Sequence, residues 1–344
     1  MKPKILVTGG LGYIGSHTVV ELIFAGYDPV IIDNLSNSEA FILDRIFSIT
    51  NYKPRFYQGD CNDNFFLNEV FTTEQSIIGV IHFAGYKSVG ESMRDPLKYY
   101  INNVGSTTNL LEVMHKYNVK LFVFSSSATV YGSPMRNPIV ETEFIKEASS
   151  PYGSTKIVCE NILKEVCQAL PTLQVVSLRY FNPIGAHNSG LIGELPKGKP
   201  NNLVPYLTQA VAGLVDDLQV FGIDYPTADG SCVRDYIHVS DLALAHIAAL
   251  QYLMTKTEGL YEVFNVGTGS GTSVFELITR FETVNSVKVP YTVGPRRAGD
   301  VPSCFANVDK INTTMGWASK KTLDESLQDV WRWQKTLIDI NPIL

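Results

Sequence analysis

The sequence predicts an α/β protein, with a Rossmann-type doubly wound parallel sheet followed by a smaller C-terminal α/β domain. Over the first 180 residues, short β-branched runs alternate with helical stretches, which indicates βαβ units and a parallel sheet covered on both faces. Beyond about residue 182, glycine and proline become denser and the strands shorter. We therefore predict one domain at residues 1–182 and a second at residues 183–344.

Six β-branched runs give the predicted strands of the first domain: "KILVTGG", "PVIID", "RFYQGD", "GVIHFAG", "KLFVFSSS" and "QVVSLRYF". Helices are expected over residues 16–26, near 97–117 and from residue 152. The third helix has clear end signals, since Ser150 suits the N-cap, Pro151 the first helical position, and Pro171 the stop. Further on, "DYIHVSDLALAHIAALQYL" indicates a strand and then a helix able to pack back onto the first domain.

Composition and charge exclude several classes of protein. Hydrophobic residues make up 45% of the chain, enough for a sizeable core, and the net charge of -6 argues against nucleic acid, which needs a clustered positive surface. The five cysteines are scattered and no HExxH occurs, so no metal site is predicted. The chain opens directly into a strand and no apolar run approaches the roughly 20 residues of a membrane span. We expect a cytoplasmic protein without a membrane partner.

The first chemical motif is the glycine-rich turn "VTGGLGYIGSH". Gly9, Gly12 and Gly15 have GxxGxxG spacing between a strand and a helix, where glycines let the backbone approach a pyrophosphate and the helix N-terminus favours it. Such a turn can also bind nothing. Asp33, however, ends the second strand, where an acidic residue accepts hydrogen bonds from a ribose hydroxyl. A carboxylate there would repel a 2′-phosphate, so the combination predicts NAD rather than NADP.

The second motif, "SPYGSTK", places Tyr152 and Lys156 one helical turn apart. A tyrosine has an ordinary pKa near 10, so it needs help to act as a base near neutral pH. The positive charge of Lys156 on the same helix face is expected to lower that pKa. Taken alone, the pair could also be two solvated neighbours on a helix surface.

Together the two motifs resemble the extended short-chain dehydrogenase/reductase superfamily. The runs "HFAGYKSVGES", "FSSSATVYG", "LRYFNPIGAH", "PNNLVPY", "VRDYIHVSDLA" and "RRAGDVPS" narrow the resemblance, almost end to end, to the UDP-galactose (UDP-glucose) 4-epimerases. The resemblance implies an isomerase of nucleotide-sugar (galactose) metabolism that keeps NAD bound. Such an enzyme takes a hydride from C4 of the sugar and returns it to the opposite face of a 4-keto intermediate. It also implies a homodimer.

The resemblance assigns site residues as well. Tyr152 would be the base, Lys156 would lower its pKa, and Ser127 would hydrogen-bond the sugar hydroxyl and relay its proton. The residues expected to contact the cofactor are Gly9, Gly12, Tyr13, Ile14, Gly15, Asp33, Asn34, Asp60, Cys61, Phe83, Ala84, Gly85, Lys87, Asn102, Ser125, Tyr152, Lys156 and Tyr180. The residues expected to contact the UDP-sugar are Lys87, Ser127, Tyr152, Phe181, Asn182, Asn202, Leu203, Arg234, Arg297, Asp300 and Cys304. Two arginines suit a diphosphate because a guanidinium bonds phosphate oxygens bidentately.

Cys304 departs from some members of the family, which carry a bulky tyrosine at the end of the pocket for the sugar's C2 substituent. A small residue leaves room for an acetamido group, so activity is expected on UDP-N-acetylglucosamine and UDP-N-acetylgalactosamine as well. The alternative is a buried cysteine that only fills core space.

Two other functions fit part of the pattern. A nucleotide-sugar 4,6-dehydratase shares the Tyr-Lys pair but needs an acid and a base after the serine strand, where this chain has Ala128 and Thr129. A non-catalytic NAD-binding protein usually lacks the tyrosine or the lysine, and both are present. For the dimer, the helices near 97–117 and 152–170 could pair across a two-fold axis, although core-facing stripes explain their apolar residues equally well.

Overall fold

A seven-stranded parallel sheet forms the centre of the molecule. The structure is a computed structural model that describes residues 2–134, 136–143, 145, 148–297 and 299–340. The strands run in the order β11-β6-β5-β4-β1-β2-β3, which confirms the predicted Rossmann-type sheet. They are β1 (Lys4–Thr8), β2 (Asp28–Asp33), β3 (Arg55–Gln58), β4 (Ile77–His82), β5 (Leu121–Ser127), β6 (Gln174–Tyr180) and β11 (Leu260–Val266).

Helices cover both faces of this sheet. One face carries α1 (Tyr13–Phe24), α2 (Ile42–Thr50) and α9 (Val239–Met254), and the other carries α3 (Asn64–Thr73), α6 (Gly105–Lys116) and α7 (Pro151–Ala169). Within β1, Ile5 and Val7 face one core and Leu6 faces the other. Burial on both faces is why the strands are continuous apolar runs rather than alternating ones.

The strand order reverses between β1 and β4, which lie side by side. Ligands of such sheets bind in the crevice at the carboxyl ends of the strands, at this point of reversal. The loops after β1 and β4 meet there: a Cβ on Gly9 would lie 2.9 Å from the backbone nitrogen of Ala84. The fold thus places the predicted glycine turn against the predicted 83–87 segment.

Short helices connect the sheet to its outer layer. The chain after β4 forms α4 (Val89–Arg94), α5 (Pro96–Tyr99) and a π-helical turn (Tyr100–Val104) that continues into α6. After β5 comes a 3₁₀ turn (Ala128–Tyr131). The helix predicted to start after Ser150 is α7, and Ser150 caps it by accepting a hydrogen bond from the Gly153 backbone N–H at 3.2 Å.

The second half of the chain builds a smaller α/β unit. Its core packs α8, α10 and α12 around side chains such as Leu207, Phe281 and Leu327. Strand β7 pairs with β10, β8 pairs with β13, and β9 pairs with both β12 and β14. The strands are β7 (Asn182–Ile184), β8 (Leu218–Phe221), β9 (Val233–Arg234), β10 (Tyr236–His238), β12 (Thr272–Ser273), β13 (Tyr291–Gly294) and β14 (Ser303–Cys304). The helices are α8 (Leu203–Val211), α10 (Val274–Asn285), α11 (Asp309–Met315) and α12 (Leu323–Ile340).

The chain returns to the large sheet after the boundary predicted at residue 182. Helix α9 packs against α1, and β11 adds a seventh strand beyond β6. The sequence indicated the helix but not this strand, because Glu262 and Asn265 interrupt the apolar run "LYEVFNV". The boundary at residue 182 itself stays a prediction. No helix in the described part of the chain is both long and apolar enough to cross a membrane.

Candidate active site

The glycine turn has a shape that only glycines allow. Gly9 has a positive φ of 67°, and a Cβ on Gly15 would lie 2.2 Å from the Gly9 carbonyl oxygen. Helix α1 starts directly after Gly12, and no side chain caps its first amides. The free N–H groups of this helix start are therefore open to an anionic group such as a pyrophosphate.

Asp33 joins the end of β2 to the glycine turn. Its carboxylate accepts hydrogen bonds from the Leu11 and Leu35 backbone N–H groups at 3.0 and 2.9 Å, and from the Ser38 hydroxyl at 2.7 Å. These bonds orient the carboxylate at the edge of the cleft without using all its acceptor positions. A ribose diol fits such a group, whereas a second phosphate does not.

A cleft of about 560 Å³ runs along the carboxyl ends of the strands. At its outer end, the Asn34 amide donates to Asp60 at 3.0 Å, and burial raises the pKa of the Cys61 thiol, which stays neutral. Every residue predicted to contact the cofactor lines this cleft: Gly9, Gly12, Tyr13, Ile14, Gly15, Asp33, Asn34, Asp60, Cys61, Phe83, Ala84, Gly85, Lys87, Asn102, Ser125, Tyr152, Lys156 and Tyr180. The lining residues suit an elongated dinucleotide whose pyrophosphate lies at the glycine turn.

The predicted catalytic residues meet where β5 ends and α7 begins. Ser127 is the last residue of β5, Tyr152 lies in the first turn of α7, and the Ser127 hydroxyl is close enough to Tyr152 to lower the pKa of the phenol. The Lys156 ammonium lies 5.9 Å from the centre of the Tyr152 ring and donates to the Ser125 carbonyl oxygen at 2.6 Å. The Ser125 hydroxyl also contacts the Tyr180 hydroxyl. Lys156 is buried and Tyr152 is half-buried, so the two helix neighbours are not a solvated pair.

The expectation that Lys156 lowers the pKa of Tyr152 stays a prediction. Burial raises the pKa of Tyr152 above its ordinary value, and the hydrogen bond with Ser127 offsets this only in part. Burial also lowers the pKa of Lys156 to about 8. The ammonium donates to a backbone carbonyl rather than to the phenol.

Four of the residues predicted to bind the sugar nucleotide form a second cluster. Arg234 on β9 and Cys304 on β14 are register partners. Arg234 and Arg297 share the carboxylate of Asp300, with nitrogen–oxygen distances of 3.5 and 2.8 Å. The Arg297 side chain is 56% exposed and can turn toward a ligand. Two guanidinium groups held by one carboxylate leave a net positive charge here.

Two further predicted residues link this cluster to the catalytic strand. Phe181 packs in an apolar cluster with Val130 and Tyr131, which follow Ser127, and the half-buried Cys304 borders the same cluster. Asn182 starts β7, where its backbone N–H donates to the Asp235 carbonyl oxygen at 2.9 Å.

Glu194 is a cleft residue that the sequence did not indicate. Its carboxylate accepts from the Lys87 ammonium at 2.8 Å and from the Asn202 amide at 3.1 Å, and Leu203 then begins α8. It therefore bridges two predicted ligand-binding side chains across the cleft. No motif spacing marks this glutamate within "GELPKGKPNN", and the dense glycine and proline of the loop was the one available signal.

Residues 5–267 match the sequence profile described as the NAD dependent epimerase/dehydratase family. This range includes the glycine turn, the catalytic strand and the Tyr-Lys pair. The chain belongs to this family.

Individual relatives narrow the family further. The UDP-glucose 4-epimerase of Bacillus subtilis strain 168 is 51% identical over 97% of this chain and 98% of its own. A crystal structure of UDP-glucose-4-epimerase from Stenotrophomonas maltophila, with bound NAD and formylated UDP-arabinopyranose, is 46% identical, has a TM-score of 0.95, and covers 98% of this chain and 99% of its own. The UDP-glucose 4-epimerase of Bifidobacterium longum, in complex with NAD+ and UDP, is 46% identical, with a TM-score of 0.92 over 97% of this chain and 98% of its own. The resemblance to UDP-glucose 4-epimerases is confirmed.

Proposed function

We propose that this chain is an NAD-dependent UDP-hexose 4-epimerase that interconverts UDP-glucose and UDP-galactose. The observation that carries the proposal is the position of Ser127 beside Tyr152, with Tyr152 lining the same cleft as the glycine cradle and Asp33. This arrangement puts a proton acceptor beside the position of a dinucleotide, as an alcohol oxidation requires.

The residues around the cleft suit NAD. Gly9, Gly12 and Gly15 would hold its pyrophosphate, and Asp33 its adenosine ribose. Bound NAD⁺ supplies a hydride acceptor and a positive charge near Tyr152. Because burial alone raises the pKa of this tyrosine, a cation in the cleft is needed before it can act as a base.

Tyr152 then takes the proton of the sugar's C4 hydroxyl, with Ser127 orienting that hydroxyl and relaying the proton. Lys156 holds the end of β5 through the Ser125 carbonyl and contributes its charge beneath the site. Return of the hydride to C4 and of a proton from Tyr152 to the oxygen, after the 4-keto sugar has presented its other face, would complete the epimerisation.

The second cluster would hold the UDP group. Arg234 and Arg297 would bond the diphosphate oxygens, and Asp300 and Asn182 would contact the same ligand. Asn202 and Lys87, which line the cleft, would contact it from the other side. For Lys87 and Asn202 to reach a ligand, each must leave the Glu194 carboxylate. Phe181 and Leu203 contribute apolar surface.

Cys304 supports a broader substrate range. It is half-buried beside Phe181 and pairs with Arg234 across strands β14 and β9. Its thiol therefore borders the substrate cluster. A thiol is much smaller than a phenol ring, and the space that it leaves suits an acetamido group at C2. We therefore include the N-acetylated UDP-hexoses among the substrates.

Substituting Tyr152→Phe tests the catalytic assignment. We expect the variant to keep its fold and lose at least about 100-fold in kcat, because it lacks the group that accepts the proton. Tyr27→Phe is a matched control, since Tyr27 is a buried tyrosine in the turn between α1 and β2 whose hydroxyl donates to the Met254 sulfur. Unchanged conversion of UDP-galactose by Tyr152→Phe contradicts the proposal.

Analysis of the product that the unmodified protein forms from a UDP-hexose separates the alternative functions. A 4,6-dehydratase would give a dehydrated 4-keto sugar as its product, and a non-catalytic NAD-binding protein would give no product at all. The 3₁₀ turn after β5 carries Ala128 and Thr129, neither of which can supply the acid and base of an elimination.

We also propose that the protein is a cytoplasmic homodimer. A row of exposed apolar side chains on α4, α5 and the π-helical turn supports the dimer, because single molecules rarely leave such a patch uncovered. Their exposed fractions are 45% for Val89, 61% for Met93, 69% for Leu97 and 69% for Ile101. The five cysteines, all free, suit a reducing compartment.

A further inference from the structure

A buried polar network lies behind the catalytic residues and touches none of the cleft. Its centre is the ion pair between Glu160 on α7 and Arg179 on β6. Both residues are buried, with 4% of each exposed to solvent. The Arg179 Nε donates to Glu160 at 2.9 Å, and a second guanidinium nitrogen makes the other half of a bidentate contact. The fully buried Ser126 hydroxyl donates to the same carboxylate at 2.6 Å.

Each member of this network is a sequence neighbour of a site residue. Ser126 lies between Ser125 and Ser127 on β5, Arg179 precedes Tyr180 on β6, and Glu160 follows Lys156 by one turn of α7. Side chains of a strand alternate between the two faces, so Ser125 and Ser127 are directed to one side of β5 and Ser126 to the other. The carboxylate therefore ties together the three elements that carry the site.

The network also extends to Tyr131 and to Asn265 on β11. Arg179 donates to the Tyr131 hydroxyl at 3.1 Å, and that hydroxyl donates to Asn265 on β11 at 2.6 Å. Tyr131 ends the 3₁₀ turn that follows Ser127. Buried polar networks with every member satisfied rigidify a core, and this one holds β5, β6, β11 and α7 in a single arrangement.

The negative charge of Glu160 also acts on the Lys156 ammonium. The titratable groups that act on Lys156 are Cys159 and Glu160 on α7, Tyr152 above it, and His82 on β4. Burial keeps His82 and Cys159 neutral near pH 7 by lowering the pKa of the first to about 3 and raising that of the second. Among the described groups around Lys156, Glu160 thus carries the negative charge that opposes the desolvation of the ammonium.

We propose that Glu160 is a positioning residue, whose buried carboxylate fixes α7 against β5 and β6 and keeps the Lys156 ammonium charged beneath Tyr152. The inference rests on the proposed function for what Lys156 and Tyr152 do. It goes beyond that function because it makes the protonation of Lys156 depend on Glu160, a residue outside the cleft.

The test is the pKa of Lys156, measured by ¹³C NMR of lysine labelled at Cε, with the signal assigned by its loss in Lys156→Arg. Glu160→Gln removes the charge and keeps the shape, and we expect the pKa of Lys156 to fall by about one pH unit. Glu160→Asp keeps the charge and is expected to leave the value within a few tenths. An unchanged pKa in folded Glu160→Gln overturns the proposal.

Glu160→Gln leaves Arg179 buried without its partner, which can destabilise the fold. The double variant Glu160→Gln, Arg179→Gln removes both charges, and the Lys156 pKa is expected to be lowered there as well. Glu74→Gln is the matched control: Glu74 is also buried and binds Lys4 and Arg55, but it lies at the opposite edge of the sheet, so its loss should leave Lys156 unchanged. A fall of the same size in Glu74→Gln, or none in the double variant, contradicts the assignment.

A kinetic measurement adds a second readout. If the lysine loses its charge more readily, the alkaline limb of the kcat–pH profile moves to lower pH in Glu160→Gln, and kcat at pH 8.5 falls about tenfold while KM changes little. Equal losses at every pH indicate a merely structural role and overturn the proposal. Absence of epimerisation in the unmodified protein would refute the proposed function, while the NMR result on Lys156 would still stand.

Discussion

At the scale of single residues, the site depends on opposing effects at Tyr152 and Lys156. Burial favours the neutral form of both groups, raising the pKa of the tyrosine and lowering that of the lysine to about 8. A phenol in this state gives up no proton near pH 7, so the protein alone does not activate it. In the proposed mechanism, activation of Tyr152 therefore depends on the bound cofactor, so no strong base forms before the cofactor is present.

Cys304 carries the prediction on specificity. In Cys304→Tyr, we expect kcat/KM for UDP-N-acetylgalactosamine to fall at least about tenfold relative to that for UDP-galactose, because the ring occupies the space of the acetamido group. Cys304→Ser, which keeps the side chain small, should retain both activities. Conversion of the two sugars would be followed by separating the products chromatographically, and an equal effect of the tyrosine on both would contradict the role of Cys304.

Residue-level reasoning from the sequence succeeded where chemistry comes with fixed spacing. The glycine turn, Asp33 and the Tyr-Lys pair all line the predicted cleft. It failed for Glu194, which reaches Lys87 across 107 residues of sequence, and for the orientation of Lys156. The spacing of residues in the sequence predicts neither the path of a loop nor the direction of a flexible lysine side chain.

At the scale of elements, the proposed function assigns the pyrophosphate of the dinucleotide to the start of α1. The turn packs so closely that Gly12 donates to the Gly9 carbonyl at 3.1 Å and Gly15 leaves no room for a side chain. The same closeness leaves the helix's first amides open to the cleft.

Gly15→Ala tests this element. The added Cβ would lie 2.2 Å from the Gly9 oxygen, so the turn must open, and we expect bound nicotinamide in the purified protein to fall at least about tenfold. Gly90→Ala is the control, because a Cβ there meets no atom within 4 Å. Nicotinamide would be quantified after denaturation, and a full complement in Gly15→Ala would show that the turn does not hold the cofactor.

Elements with strong end signals were predictable and the edge strand was not. Ser150 and Pro151 mark the start of α7, and its observed bounds agree. Strand β11 was missed because its first four residues are only half-buried and because it follows a domain boundary inferred from composition. Only the pairing with β6, a contact between distant segments, makes it part of the large sheet.

At the scale of the whole molecule, the apolar row on α4, α5 and the π-helical turn predicts association. Leu97→Glu places a charge in its centre, and we expect it to shift the protein from dimer to monomer in analytical ultracentrifugation. Phe24→Glu is the matched control, since Phe24 is 59% exposed at the end of α1, on the other face of the sheet. A dimer that survives Leu97→Glu and dissociates with Phe24→Glu would place the interface elsewhere.

Three buried histidines predict the response of stability to acid. Burial lowers the pKa to about 3 for His17, about 3 for His82 and about 4 for His246. Unfolded histidine binds a proton near pH 6.5, whereas the folded protein does not until these lower values. Stability is therefore full above pH 6.5 and is lost as pH falls toward 4, by about 2 kcal/mol for each histidine at pH 5.

Urea unfolding at pH 7.5 and pH 5 measures this loss. In His246→Gln, the difference between the two pH values is expected to shrink by about 2 kcal/mol, because one buried site no longer titrates. His115→Gln should leave the difference unchanged, since His115 is exposed on α6. The same acid loss in His246→Gln as in the unmodified protein would show that this histidine is not the cause.

The central claim is that a hydride leaves C4 of a UDP-hexose and returns to the same carbon. The most direct measurement is incubation of the protein with UDP-galactose carrying deuterium at C4, followed by mass and NMR analysis of the product. We predict UDP-glucose that retains the deuterium at C4, because the hydride never exchanges with water. Absence of UDP-glucose, or UDP-glucose with solvent hydrogen at C4, would contradict the account.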